Sequence, residues 1–143
     1  MQTSENGTAF IKANEGFVPH VYDDNGKQAV GYGHDLQPGE SFPNGITELE
    51  ASDLLQSDLA HRFESSVNHL MDASCTQNQF DALVDFCYNL GVGPLSTMMH
   101  HGWSQIPIQI PAWCYKHVNG LPVKDSGLQA RRAKEVALFN TPV

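Results

Sequence analysis

The sequence lacks any apolar run close to the roughly 18 residues that a helical membrane span requires, so we expect no membrane span. Basic residues are also scarce, because 8 Lys and Arg stand against 16 Asp and Glu and give a net charge of −8. A chain with this charge repels phosphate backbones, which argues against nucleic-acid binding. The first residues contain neither a basic start nor an apolar segment, so we expect synthesis in the cytoplasm without a visible signal peptide.

Cysteine is scarce as well. The three cysteines, Cys75, Cys87 and Cys114, are an odd number without a CxxC pair. Free thiols pack as small hydrophobes, so we expect buried free cysteines, and the sequence leaves one disulfide among them open. The seven histidines show no HxxxH or Cys/His ligand spacing, which argues against a metal site. A chain of 143 residues can bury about two-thirds of its unfolded surface as one domain, so it needs neither disulfides nor a metal to fold.

An acidic residue ends the first helical pattern of the chain. That pattern begins after Ser4, a good N-cap, and places Glu15 four residues after Ile11 on the inward-facing side. A carboxyl at that position is partly desolvated, which raises its pKa and suits it to donate a proton near neutral pH. The alternative is that Glu15 is a solvated residue of the last turn before Gly16.

A hairpin carries a second acidic residue. Asn25-Gly26 is a strong signal for a tight turn, because a type I′ turn needs positive φ at both central positions. The turn predicts four cross-strand pairs: Asp24 with Lys27, Asp23 with Gln28, Tyr22 with Ala29, and Val21 with Val30. Alternation then places Asp24 and Ala29 on one face, with Asp24 beside the Lys27 cation. The alternative is that Asp24 only flanks the turn.

Helical patterns fill most of the remaining chain. Thr47 and Glu50 form a capping box before a helix of about 25 residues, and Thr76 and Gln79 form another before an apolar helix that ends at Gly91. Residues 103–111 are irregular, because Pro107 and Pro111 prevent a continuous helix. We expect a further helix from Pro111 to Asn119-Gly120 and a last helix over about residues 126–139.

These motifs resemble those of the phage-type lysozymes, a family of endolysin muramidases. The family pattern is a helix ending in Glu-Gly, an Asp nine residues after that Glu, and a Thr-x-Gly-Tyr-Gly-His strand. The corresponding residues here are Glu15-Gly16, Asp24 and the segment from Ala29 to His34. TQNQFDALVDFCYNLGVG and GLQARRAKEVALF resemble the family's central and final helices, so the likeness covers nearly the whole chain.

The resemblance implies a lysozyme-like α+β fold in one domain, residues 1–143. A small sheet lobe of about residues 16–46 would be joined by a helix of about 48–72 to a helical lobe of about 73–143, which includes the N-terminal helix. The protein would be a monomer without a cofactor or metal, and the glycan strands of bacterial peptidoglycan would lie in its cleft. It would be made in the cytoplasm of the phage host and act on the host cell wall.

The resemblance also implies the chemistry. Glu15 would be the general acid that protonates the oxygen between N-acetylmuramic acid and N-acetylglucosamine, and Asp24 would stabilise the positive transition state or activate water. Tyr32, Gly33 and His34 would support the substrate site, with His34 bracing the sheet through an acidic partner. An arginine of the last helix would pair with Glu15, and Arg132, rather than Arg131, matches that position.

One position departs from the family pattern. Ala29 stands where the family has a threonine whose hydroxyl is placed to hold the attacking water, and the turn between Asp24 and Ala29 is one residue shorter than usual. A methyl group cannot hold water, so a second hypothesis is a lytic transglycosylase, in which the sugar's own hydroxyl attacks and leaves an anhydro-muramic end. A third hypothesis is a wall-binding protein that no longer cuts.

Overall fold

The computed structural model describes all residues from Met1 to Val143 and has the predicted α+β architecture. The helices are α1 (Glu5–Glu15), α2 (Glu48–Asp58), α3 (Glu64–Leu70), α4 (Gln77–Leu90), α5 (Val92–Met99), α6 (Ile106–Gln109) and α7 (Ser126–Phe139). The strands are β1 (Val18–Asp24), β2 (Lys27–Gly31), β3 (His34–Asp35), β4 (Tyr115–Val118) and β5 (Leu121–Lys124). Single 3₁₀ turns span Trp103–Gln105 and Ile110–Ala112.

Helix α1 begins at the predicted cap. The Ser4 hydroxyl accepts a hydrogen bond from the Gly7 N–H, and Ile11 is fully buried, which confirms the predicted start and inner face of the helix. Asp81 of α4 accepts hydrogen bonds from the backbone N–H and the hydroxyl of Ser4. Because α1 is fastened in this way, its last residue, Glu15, has a fixed position over the core.

The first three strands form one antiparallel sheet in the order β1-β2-β3. Asn25 and Gly26 have positive φ, and the predicted pairs of Asp24, Asp23 and Tyr22 with β2 are confirmed. The predicted pair of Val21 with Val30 is wrong, because the register shifts between Val18 and Tyr22 and Val18 pairs with Gly31. Pro19 accounts for this bulge: it has no N–H for the ladder, and its carbonyl accepts from Ile46 N–H instead.

The long helix after the sheet is interrupted. The capping box at Thr47 and Glu50 is confirmed, and helical structure runs from Glu48 to Leu70, close to the predicted extent. A π-helical turn, Leu59–Phe63, separates α2 from α3. The sequence pattern did not predict this turn, which places one extra residue in the helix without breaking it.

The core surrounds α4, which packs against α1, α3, α5 and α7. Its Thr76 capping box is confirmed, and its side chains from Phe80 to Cys87 are all buried. The three cysteines are free thiols; Cys87 and Cys114 are buried and Cys75 is half-buried. Burial raises the pKa of the Cys75 thiol to about 11 and that of the Cys87 thiol to about 12. None of the helices is long and apolar enough to cross a membrane.

The helix predicted after Pro111 is wrong. The segment forms a 3₁₀ turn and then the antiparallel hairpin β4–β5, with Val118 paired to Leu121. Its Asn119-Gly120 turn has positive φ at both residues, so it reverses the chain as Asn25-Gly26 does. The strand residues are all exposed, and no buried face supplied the alternating pattern that marks a strand in sequence.

Candidate active site

An open cleft of about 400 Å³ lies between the three-stranded sheet on one side and the π-helical turn and the end of α4 on the other. Its lining is mainly polar and includes carboxylates from three separate elements. The lining residues are Glu15, Tyr22, Asp24, Asn25, Lys27, Gly33, Asp35, Arg62, Phe63, Tyr88, Asn89, Leu90 and Gly91. Three of the predicted site residues, Glu15, Asp24 and Gly33, are therefore brought to the same cavity.

Glu15 lies at the C-terminal end of α1, where its side chain is 19% exposed. Gly33 passes directly above it with a φ of +82°, and a Cβ at Gly33 would lie 3.2 Å from Glu15 Oε2. The glycine is thus needed both for its backbone conformation and for the close approach of the carboxyl. This contact gives the predicted role of Gly33 a physical reason.

The pKa of Glu15 is raised above its ordinary value of 4.5. Burial is the main cause, because a desolvated carboxyl favours its neutral form. The Arg131 guanidinium opposes the shift, and the charges of Asp85 and Asp24 add to it. Such a group retains its proton to a higher pH than a solvated glutamate and can act as an acid in the cleft.

Arg131 of α7 fixes the position of Glu15. Its Nη1 lies 2.7 Å from Glu15 Oε1, and its Nη2 and Nε donate to the two oxygens of Asp85 at 2.8 Å and 3.0 Å. Asp85 is fully buried and also accepts from Asn14. The guanidinium therefore forms a bidentate pair with Asp85, which aims its remaining nitrogen at Glu15.

The prediction that Arg132 pairs with Glu15 is wrong. The Arg132 side chain is buried, and its guanidinium lies over the Phe86 ring and donates to Asn89 and Glu135 at 2.7 Å each. Neighbouring residues of a helix point about 100° apart, so only one of the two arginines can face α1. Arg132 consequently supports the site from behind, through its contact with Asn89 of the cleft wall.

Asp24 lies at the exposed end of β1, where its carboxylate accepts a hydrogen bond from the Asn25 side chain at 3.0 Å. The expected ion pair with Lys27 is absent. Lys27 Nζ instead lies 3.9 Å from Asp35 Oδ2, because Asp35 lies on β3, which pairs with β2 on its other side. Asp24 therefore keeps its predicted place in the cleft but not its predicted cation.

Ala29 lies in the middle of the sheet and is fully buried. It pairs with Tyr22 of β1 and with Asp35 of β3, so these three side chains share one face. Tyr22 and Asp35 line the cleft. Burial raises the pKa of Tyr22, and the negative charges of Asp24, Glu15 and Asp35 raise it further.

Tyr32 and His34 lie behind the cleft wall. Tyr32 is buried, and its hydroxyl donates to Glu48 at 2.6 Å; this bond, with burial, raises the pKa of Tyr32 to about 12. His34 is held between two carboxylates, with Nδ1 2.7 Å from Asp58 and Nε2 2.8 Å from Glu40. Asp58 belongs to α2, so the expected acidic partner that braces the sheet is present.

Three residues in or beside the cleft escaped the sequence analysis: Asp85, Arg62 and Tyr88. Asp85 and Arg131 form one pair across α4 and α7, and Asp85 lies one helical turn after Asp81 on a helix whose apolar pattern hid both acids. An acidic residue inside a strongly apolar helix is the signal that could have found it, since buried charges are paired. Arg62 and Tyr88 had no such signal. Arg62 fits the solvated face of the long helix, and Tyr88 lies near the end of the apolar helix α4.

The chain resembles proteins of known kind over most of its length. The family model described as Phage lysozyme matches residues 12–135. The endolysin of Bacillus phage PZA is 36% identical, over 99% of this chain and 56% of that protein, so this chain spans little more than half the length of that relative.

Two solved structures share the fold. An endolysin from the Escherichia coli phage FAHEc1 superposes with a TM-score of 0.87 at 30% identity, covering 98% of this chain and 94% of that chain. The muramidase domain of SpmX from Asticaccaulis excentricus superposes with a TM-score of 0.87 at 30% identity, covering 99% of each chain.

Proposed function

Because the chain belongs to the phage lysozyme family, we propose that it is an endolysin that cleaves bacterial peptidoglycan. The bond cut would be the β-1,4 linkage between N-acetylmuramic acid and N-acetylglucosamine. The observation that carries this proposal is the half-buried Glu15 carboxyl at the floor of a cleft, with its pKa raised by burial and its position fixed by Arg131. An open, polar cleft also suits a glycan strand, which presents hydroxyl and amide groups along its length.

In the proposed reaction Glu15 is the general acid. Its proton passes to the bridging oxygen as the bond from that oxygen to the anomeric carbon breaks, and the sugar develops oxocarbenium character. Arg131 keeps one carboxyl oxygen, Oε1, in an ion pair, which leaves Oε2 on the side of Gly33 for proton transfer. Proton donation of this kind typically contributes about 10² to 10⁴ in rate.

Asp24 is proposed as the carboxylate that stabilises the developing positive charge. It reaches the cleft from the hairpin end, across from Glu15, and its charge is one of the causes of the raised Glu15 pKa. Two carboxyl groups with different surroundings, one desolvated and one exposed to water, are the arrangement that lets one act as an acid while the other stays ionised.

The proposal is tested with Glu15→Gln, which retains the shape of the side chain but has no proton to donate. We expect the variant to lose essentially all ability to clear a suspension of chloroform-treated bacteria. Glu5→Gln, an exposed change in the same helix, is the matched control and should clear the suspension at the wild-type rate. A wild-type protein that binds purified walls but releases no glycan fragments would instead support the wall-binding hypothesis.

The products distinguish hydrolysis from transglycosylation. Hydrolysis leaves reducing muramic ends, and transglycosylation leaves anhydro-muramic ends, which mass spectrometry of digested walls separates. None of the comparisons specifically supports transglycosylation, so we propose hydrolysis. We also propose that the protein is made in the host cytoplasm and acts on the wall as a monomer.

A further inference from the structure

A third carboxylate, Asp35, lies on the cleft wall, and the proposed reaction has not yet used it. It is the last residue of β3 and is 32% exposed. Because Ala29 pairs with both Tyr22 and Asp35, these three residues form one row across the sheet, with Asp35 at one edge. The row faces the cavity that Glu15 also lines.

Two cations lie near the Asp35 carboxylate but donate no hydrogen bond to it. Lys27 Nζ lies 3.9 Å and Arg62 Nη2 lies 3.7 Å from Asp35 Oδ2, both beyond hydrogen-bonding distance. The Asp35 carboxylate accepts no hydrogen bond from any protein group, whereas Asp24 accepts one from Asn25. Asp35 is therefore oriented by charge on one side and still has free lone pairs to accept from a water molecule in the cleft.

Arg62 also contacts a second, buried carboxylate. It lies in the π-helical turn, and its Nη1 is 3.5 Å from Asp58, which in turn binds His34. The residues from Asp35 through Arg62 to His34 thus form a connected chain of charges between the cleft wall and the buried side of the sheet. A reacting group needs this kind of support, because small displacements of it reduce the rate steeply.

Ala29, the neighbour of Asp35 in the row, cannot hold a water molecule. Ala29 has no hydroxyl, and its methyl group is fully buried, so no water in the cleft can touch it. The polar groups that water can reach in this row are the Tyr22 phenol and the Asp35 carboxylate. Only the carboxylate can also take up a proton, since the raised pKa of Tyr22 keeps the phenol neutral.

We propose that Asp35 holds the attacking water and accepts its proton during hydrolysis, an inference that rests on the proposed function. The water oxygen bonds to the anomeric carbon as the bond from that carbon to the bridging oxygen breaks. Glu15 gives its proton to the leaving oxygen, and Asp35 receives the proton that the water loses. Asp24 remains ionised throughout, so the two protons balance and no further reactant is needed.

The variants are Asp35→Asn, which keeps the shape but not the basicity, and Asp35→Ala. Asp53→Asn and Asp53→Ala are matched controls, because Asp53 is an exposed residue of α2 outside the cleft. We expect both Asp35 variants to lose about 10² or more in kcat for release of reducing ends from purified walls. The free energy of unfolding of both variants should be nearly unchanged, because ion pairs with exposed cations such as Lys27 and Arg62 contribute little to stability.

Two readouts separate a base from a structural residue. Removing the base should change the acidic limb of the kcat profile against pH, because Asp24 is then the one proposed carboxylate that must still be ionised. It should also raise the share of anhydro-muramic ends, because the sugar's own hydroxyl then competes with water that no side chain holds. Asp35 variants that keep the wild-type acidic limb and product ratio would overturn the inference, whatever their rate.

The failure of this inference is distinguishable from failure of the proposed function. If Glu15→Gln abolishes cleavage but Asp35→Ala cuts within about threefold of Asp53→Ala, the enzyme stands and Asp35 is not its base. If Glu15→Gln retains wild-type cleavage, the proposed function itself is wrong. A larger share of anhydro-muramic ends in the Asp35 variants, with cleavage still dependent on Glu15, supports both.

Discussion

Replacing Arg131 with methionine should separate its contribution to stability from its effect on the pKa of Glu15. The change removes the cation from Asp85, which is fully buried, while filling a similar space. Breaking a buried ion pair by removing one partner typically costs about 3–5 kcal/mol, because the other charge is left uncompensated. In a domain of this size that loss corresponds to a fall of about 10–20 °C in Tm.

The same change should move the activity profile. Arg131 lowers the pKa of Glu15 against the larger effect of burial, so without it that pKa rises further. The basic limb of kcat/KM, which reports the proton on Glu15, should then shift to higher pH. A carboxyl whose folded pKa is raised contributes stability below its ordinary value of 4.5 and loses that stability as pH rises through the folded pKa. The stability deficit of Arg131→Met should therefore grow over that interval.

Thermal and urea unfolding measure the free energy of unfolding of each variant. Initial rates on purified walls from pH 4 to 9 locate the basic limb of kcat/KM. Lys134→Met is the matched control, since it removes an exposed cation from the same helix and should cost under about 0.5 kcal/mol. Arg131→Met with Asp85→Asn should be more stable than the sum of the two single changes. A deficit below about 1 kcal/mol, or an unmoved basic limb, would refute the assigned role of Arg131.

Two further predictions concern the glycine strand and its histidine. Gly33→Ala should lose about 1–2 kcal/mol of stability from strain at positive φ, and it should also displace Glu15, so that walls are cut more slowly. Gly39→Ala is the control, because Gly39 has a similar φ but open space around it. It should lose stability in unfolding assays but keep the wild-type rate in activity assays. Burial lowers the pKa of His34, but hydrogen bonds to two carboxylates outweigh it and raise that pKa. Stability from His34 should be complete below about pH 6.5 and lost as pH rises through the raised value; urea unfolding at several pH values, compared with His34→Asn, should show this loss in the wild type only.

The parts of the fold that follow from local chemistry could be predicted. The Ser4 cap, both capping boxes and the Asn25-Gly26 turn each involve residues three or four positions apart, and each is present. The hairpin at Asn119-Gly120 has the same turn chemistry as the first one, but its exposed strands carry no alternation. The turn signal was therefore outweighed by apolar residues that fit a helical period.

The candidate site was predictable only where a residue's position along one element decided its neighbours. Glu15 could be placed by counting from Ile11, whereas the choice between Arg131 and Arg132 depends on the rotation of α7 against α1 and α4. Asp35 follows His34 in the chain, yet its proposed role rests on its pairing with Ala29 of the neighbouring strand. Interactions of this kind depend on tertiary geometry, which a local pattern does not contain.

The π-helical turn at Leu59–Phe63 constrains the number of residues between α2 and α3. Each residue of an α-helix turns the following side chains by about 100°, so one extra residue acts as a phase correction between α2 and α3. It allows Asp58 to meet His34 on one side while Val67 faces the core on the other. A chain one residue shorter here would form a more regular helix but would misalign one of those contacts, so the number of residues in this segment is specified as tightly as their identity.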